Sequence, residues 1–125
     1  MRHNVAGYKL NRNKGHRNSL RRNLIISLFE HNRIKTTKAK AKAIRGDAEK
    51  LITLARNSTK GSDVDKVNAR RLAAASLANP AIVKLLFDEI APRFENRNGG
   101  YTRMYNLGLR AGDSAEMVLL ELVEE

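Results

Sequence analysis

Three histidines, His3, His16 and His31, are the only side chains in the sequence whose ordinary pKa lies near neutrality. They stand thirteen and fifteen residues apart in a chain without cysteine, so they match no metal-ligand spacing and there is no thiolate to join them. Carboxylates that could pair for acid–base work, Asp113, Glu116, Glu121, Glu124 and Glu125, gather near the C-terminal end, where a solvated edge accounts for them. Gly99-Gly100 is not part of a Gly-x-x-x-x-Gly-Lys-Ser/Thr run and reads as a turn into a strand. These types and spacings predict no enzyme, metal, cofactor or small-molecule substrate.

The chemistry that does recur is cationic. Thirteen of the 24 Lys and Arg residues precede residue 46: Arg2, Lys9, Arg12, Lys14, Arg17, Arg21, Arg22, Arg33, Lys35, Lys38, Lys40, Lys42 and Arg45. One of the 13 acids, Glu30, accompanies them, so this third of the chain carries all of the net +11. Such crowding is unfavourable alone, and a nearby polyanion converts it into binding through counterion release. Interleaved Asn4, Asn11, Asn13, Asn18 and Asn23, with His3, Tyr8 and His16, are types that bond phosphate and 2′-hydroxyl or stack on unpaired bases. A second patch, Arg93, Arg97, Tyr101 and Arg103, surrounds Gly99 and Gly100, where missing side chains would let a sugar–phosphate backbone come close. The pattern points to nucleic acid. An anionic membrane is the competitor, but no apolar run approaches the ~18 residues of a span.

The elements that must position these groups follow from spacing. Met1 to Asn18 has too few apolar groups to offset its own ordering entropy and reads as a basic arm, residues 1–18, that RNA would order. It lacks the hydrophobic stretch of a secretory signal. Residues 19–125 are expected to form a single α+β domain. Its first helix, from Asn13 or Asn18 to His31, is basic in its first turns and apolar in its last, with Leu20, Leu24, Ile25, Leu28 and Phe29 spaced for burial. That axial split disfavours a surface-lying membrane helix, whose two faces must be opposed. Ile34 to Thr37 reads as a short strand, and Thr37 as the cap of a helix from Lys38 to Asn57. Gly46 within that helix suggests close approach by another element. Ser62 and Asp65 form a capping-box pattern opening a third helix, with Val64, Val67, Leu72 and Leu77 among alanines. Asn79-Pro80 starts a fourth, which Pro92 is expected to end. Tyr101 to Leu107 alternates, with Tyr101, Arg103, Tyr105 and Leu107 on one face. Met117 to Val123 is nearly apolar throughout and is expected to be the central strand of a three-stranded sheet.

Taken together the segments resemble the bacterial large-subunit ribosomal protein seventeen family. The resemblance is carried by Met1-Arg2-His3, Leu10-Asn11-Arg12, His16-Arg17, Arg22-Asn23, Ile34-Lys35-Thr36-Thr37, Lys40-Ala41-Lys42 and Leu51-Ile52-Thr53-Leu54-Ala55. Arg71-Leu72-Ala73, Pro92-Arg93-Phe94, Gly99-Gly100-Tyr101-Thr102-Arg103, Arg110-Ala111-Gly112-Asp113 and Glu121-Leu122-Val123 continue it in order along the chain. Ala39 and Glu116 stand where the family often has proline. The resemblance implies a cytoplasmic, non-enzymatic constituent of the large subunit. It would bind 23S ribosomal RNA near the peptide exit tunnel and touch neighbouring ribosomal proteins. A DNA-binding architectural protein is the alternative reading of the charge.

Overall fold

In the computed structural model, Leu10 and residues 13–123 are described. Local capping chemistry sets most helix boundaries. The Asn13 side chain accepts the His16 N–H at 2.8 Å and opens α1 (Lys14–His31). The basic cluster Lys14 to Asn18, which the arm was expected to contain, is therefore helical. Asn32 ends α1 with φ 67, the left-handed conformation that asparagine tolerates. Thr37 closes β1 (Arg33–Thr37) and accepts the Lys40 N–H at 3.3 Å, opening α2 (Lys38–Ser58). Ser62 and Asp65 exchange reciprocal hydrogen bonds of 3.3 and 3.2 Å at the start of α3 (Asp63–Leu77). Asn79 caps α4 (Pro80–Leu85), and Pro80 occupies its first turn.

Pro92 does not end this helical segment. A π turn, Leu86–Ile90, follows α4, and α5 (Ala91–Arg93) runs through the proline. Proline interrupts an α-helix because it lacks an N–H and its ring meets the carbonyl four residues back. Here the preceding turn is already widened, the Ala91 N–H bonding the Leu86 carbonyl five residues back, so the α register is lost before Pro92 is reached.

β2 (Thr102–Leu109) and β3 (Glu116–Leu122) form an antiparallel hairpin, and β1 adds on the far side of β3, giving the order β1-β3-β2. The apolar strand is central, as its composition predicts. A bulge at Leu107, between Asn106 and Gly108, breaks the expected alternation of β2. Tyr101 lies just before β2 and is buried, whereas Tyr105 and Leu107 are exposed.

α2 packs beside the sheet and runs back along β1. Lys38 at its start is 3.8 Å from Glu116, while Glu49 accepts from the Thr102 N–H and hydroxyl at 3.3 and 3.0 Å, close to the other end of β3. Ala41, Ile44, Ala48, Leu51, Ile52 and Ala55 form its buried stripe. They meet Leu28 and Phe29 of α1, Leu86 and Ile90 of the π turn, Phe94, Tyr101, and Val118 and Leu120 of β3 in one core. α3 contributes little: Ala69, Ala73 and Leu77 are buried at i, i+4, i+8 spacing, and Val64, Val67 and Leu72 fall off that stripe and are exposed.

Candidate nucleic-acid interface

Arg2, His3, Tyr8, Lys9, Asn11 and Arg12 lie outside the described residues. The remaining sequence-predicted groups fall into three places. The first is the start of α1. Lys14 and His16 are exposed, Arg17 is half-exposed, and burial is reached only at Ile25, Leu28 and Phe29. The helix is thus split along its axis, outward at its basic end and inward at its apolar end. Arg21 and Arg22 sit between the two regimes. Both line a cleft of about 450 Å³ between α1, α2 and α3, together with Asp47 and Lys50, and the Arg22 Nε donates to the Ser76 carbonyl at 3.1 Å. Part of Arg22 therefore ties α1 to α3.

The second place is the junction of β1 and α2. Lys42 and Arg45 are exposed, Lys40 is half-buried, and Lys35 is exposed on the face of the sheet turned away from the helices. Lys38 is occupied in part by Glu116. Among the described residues, Lys14, Arg17, Lys35, Lys40, Lys42 and Arg45 make no ion pair with an acid. Cations in the first turns of α1 and α2, which contain no acid, also oppose the helix dipoles. A phosphate placed there would relieve both unfavourable terms.

The third place, around the diglycine turn, is built differently from the expectation. Arg93 donates to the Asn32 side chain at 2.9 Å, and the Arg97 Nε reaches the Gly99 and Gly100 carbonyls at 3.2 and 3.1 Å. Arg103 is paired with the Glu121 carboxylate across the sheet. These guanidiniums brace the loop and the hairpin. Tyr101, expected in this patch, is turned into the core: its ring packs against Phe94 with centroids 5.1 Å apart, and its hydroxyl accepts from Thr53 at 3.2 Å. Gly100 has φ +61, so glycine is needed there for the turn itself.

Gly99 and Gly100 do face open space. With Gly46, Glu49, Lys50, Thr53 and Tyr101 they line a shallow cleft of about 380 Å³. No element approaches Gly46 closely, contrary to the expectation, since a Cβ there would meet nothing within 4 Å. Sequence reasoning also missed Arg56. Its Nε donates to the Phe94 and Glu95 carbonyls at 3.1 and 3.3 Å, and its Nη2 to Asn98 at 2.7 Å, fastening α2 to the loop after α5. A cation in the last turn of a helix was the one available signal.

Among the described residues no cluster of three His, Cys, Asp or Glu side chains could hold a metal ion, and no helix is long and apolar enough to cross a membrane. The sequence model described as ribosomal protein L17 matches residues 20–123. The chain belongs to the ribosomal protein L17 family. Over 123 residues it is 53% identical to the large ribosomal subunit protein bL17 of Solibacter usitatus, covering 98% of this chain and 77% of that protein. It is 46% identical to bL17 of Geobacter metallireducens over 125 residues, covering all of this chain and 66% of that one. Trichlorobacter lovleyi bL17 is 47% identical over 125 residues, which is 95% of its length. Membership makes the chain a ribosomal protein of the large subunit, a structural component and not an enzyme. The α+β architecture expected from the sequence is the one observed.

Proposed function

We propose that the protein attaches to 23S ribosomal RNA near the peptide exit tunnel through its basic N-terminal third, with the arm ahead of α1 ordered on the RNA and the C-terminal two thirds serving as scaffold. The supporting observation is the set of cations at the starts of α1 and α2 that have no acid partner among the described residues. Neutralising phosphates where RNA helices meet lowers the repulsion that opposes packing them together. The choice of 23S RNA and of the tunnel region rests on the family resemblance. Lys14, Arg17, Lys35, Lys40, Lys42 and Arg45 are the contacts on the described part. Arg93, Arg97 and Arg103 shape the loop and hairpin beside them.

If about eight phosphates are neutralised, affinity for large-subunit ribosomal RNA falls with a log–log salt slope of roughly −6 to −7. A slope near −2 would remove the mechanism. Competition against duplex DNA at fixed salt is the companion measurement. Preference for DNA would favour an architectural DNA-binding role and end the ribosomal RNA reading. Chemical footprinting of large subunits with and without the protein tests the location, which requires protection beside the tunnel exit.

A further inference from the structure

The sheet has two faces of unlike chemistry. Val118, Leu120 and Leu122 of β3 are buried toward the helices. The opposite face follows from the register. One rung is Arg33–Glu121–Arg103, and the next is Lys35–Leu119–Tyr105. Arg33, Lys35, Arg103 and Tyr105 are exposed, and Tyr105 keeps 46% of its surface in solvent. The Arg103 guanidinium carbon lies 5.6 Å from the Tyr105 ring centroid, a cation–π distance that steadies the ring. Glu121 neutralises Arg103, which leaves Arg33 and Lys35 without an ion-pair partner among the described residues.

We infer that this open face is a stacking platform for an unpaired base of the bound RNA, received on Tyr105 beside Leu119, with the flanking phosphates held by Lys35 and Arg33. The inference rests on the RNA-binding reading and extends it to a surface distinct from the helix starts. The charge of the face complements a phosphate backbone. An open sheet face with an exposed aromatic ring accepts a splayed-out base, whereas stacked bases inside a duplex cannot reach it. Stacking of one base on an aromatic side chain strengthens binding by roughly five- to a hundredfold.

The test uses the full chain and large-subunit ribosomal RNA, with Tyr105→Leu, Tyr105→Phe and Lys35→Ala measured across a salt series. Leucine keeps an apolar, strand-compatible side chain and removes the ring together with its hydroxyl, phenylalanine removes the hydroxyl alone, and folding is checked by thermal melting. Tyr105→Leu is expected to weaken binding by at least about fivefold with an unchanged salt slope, and Tyr105→Phe to bind within about twofold of wild type. Lys35→Ala is expected to reduce the slope by about 0.7–0.9. If Tyr105→Leu binds like wild type while wild type keeps its steep slope, the platform is wrong and the RNA attachment stands. The same normal RNA affinity combined with poor incorporation into subunits would assign the face to a protein neighbour, which also overturns the proposal. A wild-type slope near −2 would instead remove the attachment mechanism on which the platform rests.

Discussion

Arg93 donates from Nη1 to the side-chain oxygen of Asn32 at 2.9 Å, joining the end of α5 to the left-handed turn between α1 and β1. The two residues are 61 apart in sequence. A guanidinium that looks like a phosphate ligand in the sequence is thus a cross-brace between two segments that both border the sheet. Arg93→Ala is expected to lower stability by about 1–2 kcal/mol, in the range of a part-buried hydrogen bond with one charged partner. Chemical denaturation reads this. The salt slope of RNA binding should stay at the wild-type value.

The axial split of α1 predicts separable effects. Lys14→Ala with Arg17→Ala is expected to shift stability by less than about 0.5 kcal/mol, because both side chains are wholly or partly in solvent. The same pair should reduce the salt slope by roughly 1.4–1.8. Leu28→Ala, at a fully buried site, should cost about 2–5 kcal/mol. Equal losses of stability from the two variants would contradict the geometry.

Gly46 lies in the middle of α2, and a Cβ at that position meets nothing. Gly46→Ala is therefore expected to raise the stability of the free protein by about 0.4–1 kcal/mol, through helix propensity and a more restricted unfolded chain. Destabilisation in a urea titration would show that the site is tighter than its surroundings indicate.

The hairpin tip carries a pH-dependent contact. Hydrogen bonds from Arg110 and from the Ala115 N–H hold the Asp113 carboxyl down at about 2, against an ordinary 3.8. The lowered folded-state value means that its stabilisation is fully present above about pH 4 and is lost as the pH falls through about 2. Nuclear magnetic resonance titration of the Asp113 carboxyl should give a midpoint near 2, and in Arg110→Ala a midpoint raised toward the ordinary 3.8 but still below it, because the Ala115 N–H remains. An unchanged midpoint in the variant would refute the pairing.

Tyr101 and Tyr105 offer a paired comparison. Tyr101→Phe removes the hydroxyl that Thr53 donates to and should cost about 0.5–1.5 kcal/mol, because the group is buried. Tyr105→Phe removes nothing of the kind and should be neutral by thermal melting.

Much of this fold is legible in the sequence where the responsible chemistry is local. Asn13, Thr37, the Ser62–Asp65 pair and Asn79-Pro80 mark helix starts because a capping side chain acts on residues two or three positions away. The central place of β3 is legible because burial on both edges and one full face leaves little room for polar groups. What escapes depends on partners distant in sequence. The passage of helix through Pro92 needs the π turn before it, and the burial of Tyr101 needs Phe94 and Thr53, which lie outside its own strand. The site divides in the same way. Charge density alone cannot tell a guanidinium that faces solvent, such as Arg45, from ones already committed to carbonyl oxygens, such as Arg56 and Arg97.

The order β1-β3-β2 also governs when the protein can fold. The strand that must lie in the middle is synthesised after both of its neighbours, and Ile34 finds its partner Leu120 only once some eighty further residues have been made. Until then β1 and β2 have nothing to pair with, while the cationic starts of α1 and α2 are already available. Loop closure over that distance is slow relative to helix formation. A nascent chain of this topology therefore presents its adhesive, basic third to any polyanion nearby well before its scaffold closes. Timely release of β3 becomes a kinetic safeguard against premature capture.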